Sequence, residues 1–208
     1  MLLTHAELAP IACVNVYTGV PSFTLPGDVV VAIVETGSEI IVAFRGTNPR
    51  DPRDWMRDFS VWPESDDLLG ATHAGFLAGA REASPRLSFL SKAQKFVTFT
   101  GHSLGSSMAQ CAAAYHIAKL RPNRARYIGF GTPRVFACFN GKASGLLSQL
   151  TETHLYVNAG DPVSHVPFAP FYLHRVPQTT LGEPLFALDP IRNHFGALYV
   201  ERMAALNS

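Results

Sequence analysis

The chain has 208 residues, of which 47% are hydrophobic and 16% charged, enough apolar material for one sizeable core and too little charge for a disordered polymer. Its 17 basic residues nearly balance 16 acidic ones and are scattered, so the net charge of +1 gives no reason to expect nucleic acid or an anionic membrane as a partner. Three cysteines (Cys13, Cys111 and Cys138), with no Cys-x-x-Cys pair, argue against a disulfide framework and a structural zinc site. They read as small buried hydrophobes in a reducing compartment, with one bridge still open to an exported protein.

In chain order, Met1 to Glu7 lacks a cationic start followed by an apolar run, and no stretch approaches about 20 apolar residues. The expectation is therefore no signal peptide and no transmembrane anchor, with a cytoplasmic location or export by another route. Leu2 to Tyr17 is apolar with helical character, interrupted by Pro10. Val29 to Glu35 and Glu39 to Arg45 are β-branched runs around Gly37-Ser38 and predict a hairpin. After the polar stretch Gly46 to Asp54, the residues Trp55, Met56, Phe59 and Trp62 recur at i+3 and i+4 and predict a short amphipathic helix.

Ala74 to Leu90 is helical, broken or kinked at Pro85, and Lys95 to Thr100 is a short buried strand. Leu104 to Leu120, with Ala109, Ala112, Ala113 and Ala114 inside it and Arg121-Pro122-Asn123 as its stop, is the strongest helix. Strands follow at Ala125 to Phe130, Leu155 to Asn158 and Phe171 to Val176, and His194 to Leu206 closes the chain as a helix. Strands alternating with helices give an α/β fold, a mostly parallel mixed central sheet with helices on both faces, and one domain over residues 1–208.

Gly101-His102-Ser103-Leu104-Gly105 lies between the best strand and the best helix. A serine at such a turn takes a strained backbone, and glycines two residues to either side leave room for the neighbouring elements. Its hydroxyl is then expected to stand exposed at a helix N-terminus, where free N–H groups favour developing negative charge. Ser103 is the candidate nucleophile. A serine hydroxyl needs a base, and the base needs a carboxylate to fix its tautomer. The order serine, acid, histidine leaves His116, His154, His165, His174 and His194. His116 lies within the helix leaving the turn, and His154 and His174 sit at strands. His194 follows the loop Asp189-Pro190-Ile191-Arg192-Asn193 and is the candidate base. Asp161, just after a strand, is the candidate acid, with Asp189 as its competitor.

These blocks resemble the fungal-type class 3 lipases of the α/β-hydrolase superfamily. Val42 to Thr47 is similar to the segment before their lid, Trp55 and Asp58-Phe59 to their lid pattern, and His73-Ala74-Gly75-Phe76 to their His-x-Gly-Phe. Thr100 to Gly105 carries the serine turn. Gly129 to Val135, Asn158 to Pro167 and Asn193-His194-Phe195 with Tyr199 resemble the later blocks. Ser106 stands where the family has glycine. The resemblance implies the triad Ser103, Asp161 and His194 and an oxyanion hole from Thr47 and the N–H of Leu104. It implies Asp58 as a carboxylate orienting Thr47, unless Asp58 is a solvated helix charge. Residues 47–63 become a candidate lid with Trp55, Met56, Phe59 and Trp62 as its apolar face, the alternative being a helix packed permanently on the core.

The expected activity is carboxylic-ester hydrolysis through an acyl-enzyme, on acylglycerols, with no metal and no cofactor. The partner is a lipid or other ester at a lipid–water interface. Phospholipase A1 and short-chain carboxylesterase remain alternatives, and a non-catalytic lipid-binding relative a distant one. Phe168, Phe171, Leu185, Phe186 and Phe195 favour an acyl chain as substrate, or are core residues.

Overall fold

A computed structural model describes residues 1–19, 21–26, 29–46, 62–120, 124–186 and 188–206. The N-terminal segment stays helical through Pro10. Helix α1 (His5–Pro10) is followed by a π-helical stretch (Ile11–Asn15) and a final α turn (Val16–Thr18). Proline removes a donor from the ladder, and the i→i−5 bond from the Val16 N–H to the Ile11 carbonyl shows the widened turn that absorbs it. Strands β1 (Phe23–Leu25), β2 (Val29–Glu35) and β3 (Glu39–Arg45) pair antiparallel in succession, with Val31 opposite Phe44 and Ile33 opposite Val42. The predicted hairpin is β2–β3. The expected helix around Trp55 lies outside the described residues.

Short strands β4 (Pro63–Asp66) and β5 (Gly70–His73) lead into helix α2 (Ala74–Arg86), which ends just after Pro85 in a 3-10 turn (Ser88–Lys92). Strand β6 (Phe96–His102) runs into helix α3 (Leu104–Leu120), and β7 (Ala125–Phe130), β8 (Phe136–Ala137) and helix α4 (Gly141–Leu147) follow. Then come β9 (Glu152–Asn158), β10 (Tyr172–Leu173), β11 (Gln178–Leu181), a 3-10 turn (Pro190–His194) and helix α5 (Gly196–Ala205).

The main sheet has the order β1-β2-β3-β6-β7-β9-β11, parallel from β3 onward. Its central strands are buried on both faces and alternate accordingly. Val42, Phe44, Phe99 and Tyr127 join the core under α2, α3 and α4, whereas Ile41, Ile128 and Phe130 join the core under α1 and α5. Helix α3 is buried nearly all round, which its alanines permit by keeping the helix slim between sheet and neighbours.

Two expectations need correction. The run Phe171 to Val176 does not form a strand of the main sheet. Only Tyr172–Leu173 is extended, in a separate antiparallel sheet of order β10-β8-β5-β4 that the sequence did not announce. The last strand of the main sheet is instead the polar Gln-Thr-Thr-Leu segment at its edge, where one-sided burial weakens the hydrophobic signal. The cysteines are free, but only Cys13 and Cys111 are buried, and Cys138 is exposed.

The small sheet is tied to the helices by Asp66. Its carboxylate accepts from the Arg81 Nη2 at 2.7 Å, from the Leu69 N–H at 2.8 Å and from the Tyr115 hydroxyl on α3. Burial opposes the charge, but the donors from Tyr115, Leu69, Arg81 and Leu68 outweigh it and hold the carboxyl at about 2. An unfolded aspartate titrates near 4. This contribution to stability is therefore present above about pH 4 and lost as the pH falls towards 2. Asp66→Asn is expected to lower stability at pH 7 by about 1–3 kcal/mol in urea titrations and to flatten its dependence on pH between 4 and 2.

Candidate active site

The serine turn follows from backbone contact. Ser103 has φ +57°, the one positive φ among described residues other than glycine, a conformation that costs about 1–3 kcal/mol unless its surroundings enforce it. They do. A Cβ on Gly105 would lie 2.1 Å from the Phe44 carbonyl oxygen and 2.6 Å from the Gly46 nitrogen, so the start of α3 touches the end of β3. A Cβ on Gly101 would lie 2.6 Å from the Gly105 carbonyl carbon. The Ser103 N–H donates to the Phe130 carbonyl at 3.0 Å, tying the turn to β7. Ser106 keeps this packing: its hydroxyl bonds Tyr127 at 2.8 Å and Thr132 at 2.7 Å beneath the turn.

His194 ends the 3-10 turn before α5, and Asp161 follows β9. Nδ1 of His194 lies 2.8 Å from Oδ2 of Asp161. A carboxylate can only accept, so Nδ1 carries the proton, and in the neutral ring Nε2 is the basic nitrogen. The same Oδ2 accepts from the Tyr199 hydroxyl at 2.6 Å, and Oδ1 from the Val163 N–H at 2.8 Å. Burial alone would raise the Asp161 carboxyl, but His194, Tyr199 and Val163 hold it below the ordinary aspartate value. A second tie runs parallel: Asn158 Nδ2 donates to the Asn193 carbonyl at 2.8 Å, and Asn193 Nδ2 to the Gly160 carbonyl at 3.3 Å. Asp189, the competitor, does not make the contact to Nδ1.

The imidazole packs against both neighbours of the serine turn. A Cβ on Gly131, next to the carbonyl that Ser103 bonds, would lie 3.0 Å from Cε1 of His194. The His102 ring stacks on the His194 ring, centroids 4.6 Å apart. The structure thus brings Ser103, His194 and Asp161 to one rim of the sheet. As whole residues, Ser103 is 8% accessible, His194 2% and Asp161 1%.

Leu104, the first residue of α3, has an N–H for which the helix itself supplies no acceptor. Thr47, Trp55, Met56, Asp58 and Phe59 lie outside the described residues. Gly46, just before Thr47, lies against Leu104 and Gly105. Trp62 is 85% exposed, and Phe168, Phe171, Leu185 and Phe195 are exposed rather than core. Among the described residues, no group of three or more His, Cys, Asp and Glu side chains is arranged to hold a metal ion, and no helix is long and apolar enough to cross a membrane.

Two site residues escaped the sequence reading. Tyr17, at the end of the N-terminal helical segment, meets the His102 ring edge-on at 6.4 Å, and burial pushes its phenol upward. No sequence signal marks it, because the π-helical stretch changes which face it presents. His102 was legible only as a letter in the serine motif.

The family model described as "Lipase (class 3)" matches residues 41–171. The chain belongs to the class 3 lipase family. The match spans Ser103 and Asp161 and stops short of His194. A protein of Fusarium solani named secreted mono- and diacylglycerol lipase 1 is 33% identical over 168 residues, 74% of this chain and 48% of that protein. A crystal structure of a lipase from Rhizopus microsporus var. chinensis is 27% identical with a TM-score of 0.65, over 77% of this chain and 60% of that one. The mono- and diacylglycerol lipase of Aspergillus oryzae is 21% identical with a TM-score of 0.63, over 86% and 78% of the two chains. This class 3 lipase family member therefore has the α/β-hydrolase fold, and it spans about half the length of the curated relative. Tyr199→Phe removes one donor to Asp161 and the acceptor of the Asn158 N–H bond. It is expected to lower stability by about 1–3 kcal/mol in urea at pH 7. An unchanged midpoint would mean that the hydroxyl does not hold the carboxylate.

Proposed function

We propose that the chain is a serine carboxylic-ester hydrolase that cleaves acylglycerols, the 208 residues acting as one hydrolase domain. The observation that carries this reading is the buried Asp161–His194 pair set against the strained serine turn. On this reading Ser103 Oγ attacks the ester carbonyl carbon while His194 Nε2 takes its proton. Asp161 keeps the other ring nitrogen protonated and stabilises the imidazolium. The tetrahedral oxyanion is held by the Leu104 N–H and by the N–H and hydroxyl of Thr47, with Asp58 orienting that hydroxyl. His194 then gives the proton to the leaving alcohol, and water repeats the sequence on the acyl-enzyme.

Family membership supports ester hydrolysis, and the relative from Fusarium solani is named for mono- and diacylglycerols. A lipid–water interface as the place of action draws support from a hollow of about 380 Å³ lined by Trp62, Pro63, Ala137, Phe139, Phe171 and Tyr172. Trp62, Phe139 and Phe171 leave a contiguous aromatic surface to solvent there. An exposed apolar surface of this kind is satisfied by contact with acyl chains.

Ser103→Ala is expected to keep the circular dichroism and melting temperature of the parent and to lower hydrolysis of p-nitrophenyl butyrate by at least about 10⁴-fold. Retained turnover would remove the assignment. With mono-, di- and triolein beside phosphatidylcholine, the glycerides should turn over fastest, with a rate rise where the ester aggregates. Preference for phosphatidylcholine would make the enzyme a phospholipase, and plain saturation on soluble esters alone a carboxylesterase.

A further inference from the structure

The mechanism above gives His102 no role, yet the residue before the nucleophile touches the base twice. Its Nε2 lies 2.8 Å from the backbone carbonyl oxygen of His194, 92 positions away in sequence. Its ring lies nearly parallel to the His194 ring, at 27°. A carbonyl oxygen only accepts, so His102 carries its proton on Nε2. The surroundings hold it in that form: Tyr17 and Tyr199 meet the ring edge-on at 6.4 and 5.5 Å, and among the described residues no carboxylate bonds it. Burial, and next the neighbouring His194, lower its titration to about 3.

We propose that His102 is a positioning residue for the general base, its Nε2–H fixing the backbone of His194 and its ring fixing the plane of the imidazole. This rests on Ser103 and His194 being nucleophile and base. The physical need is clear from topology. The nucleophile sits on a rigid turn between β6 and α3, whereas the base arrives on a 3-10 turn from the far end of the chain. A side chain adjacent to Ser103 that binds the main chain of His194 joins the two through one covalent step and one hydrogen bond. A misplacement of about 1 Å between reacting groups can cost about a hundredfold in rate.

The test compares His102→Gln, which keeps a donor of similar reach, with His102→Phe, which keeps a ring and loses the donor. Each is measured for melting temperature, for kcat and KM on p-nitrophenyl butyrate, and for the downfield proton resonance of the His194 Nδ1–H. The phenylalanine variant should lose about tenfold to a hundredfold in kcat with KM within about twofold, and its Nδ1–H resonance should shift or broaden. The glutamine variant should recover kcat to within about threefold of the parent and keep the resonance. A role in packing alone gives the reverse order, phenylalanine better than glutamine, and overturns the proposal, as does parental kcat in both. Should the phenylalanine chain fail to fold, His102→Met takes its place as the variant without a donor. Ser103→Ala runs beside them: turnover there removes the nucleophile itself, whereas an inactive Ser103→Ala with a fully active His102→Phe removes only the positioning role.

Discussion

The start of α3 and the end of β3 meet backbone to backbone, and the site depends on that contact. No side chain fits at Gly105 between the Phe44 carbonyl and the Gly46 nitrogen. This closeness forces the chain to reverse within one residue at Ser103, in a backbone region that a serine does not choose. The strain is supported by bonds that converge on the turn: Ser103 to Phe130, and Ser106 to Tyr127 and Thr132. The result is a hydroxyl at a helix N-terminus, at the carboxyl ends of the parallel strands, where open α/β sheets gather their chemistry.

The second requirement is a charged carboxylate that is almost wholly buried. Leaving such a group without donors would be costly, and the fold supplies three to Asp161, from His194, Tyr199 and Val163. Each comes from a different piece of chain, so the charge is stable only when β9, the turn carrying His194 and α5 are docked together. Polar satisfaction and assembly of the site are one event. The exposed aromatic surface around Trp62 and Phe171 is the opposite case, apolar groups left in water.

Much of this was legible before any coordinates. The proposed triad Ser103, Asp161 and His194 could be chosen because the chemistry restricts which residue types act and the sheet topology restricts their order. The hairpin and α3 were legible because β-branched runs and alanine-rich periodicity are local signals. The edge strand Gln178–Leu181 was not, because three of its four residues are polar and give no hydrophobic period. The four-stranded sheet was missed because its strands are two to four residues long and, apart from the β4–β5 hairpin, pair across wide gaps in sequence. Tyr17 and His102 needed three dimensions, since what makes them matter is a contact with His102 or His194 and not their own neighbours in sequence.

The most direct measurement is the mapping of a diethylphosphoryl adduct by peptide mass spectrometry after treatment of the folded protein with paraoxon. The account predicts one modified residue, Ser103, with no modification there in chain unfolded by urea, because activation of the hydroxyl comes from the assembled imidazole and carboxylate. An adduct on a different serine, or equal labelling of folded and unfolded chain, would contradict it.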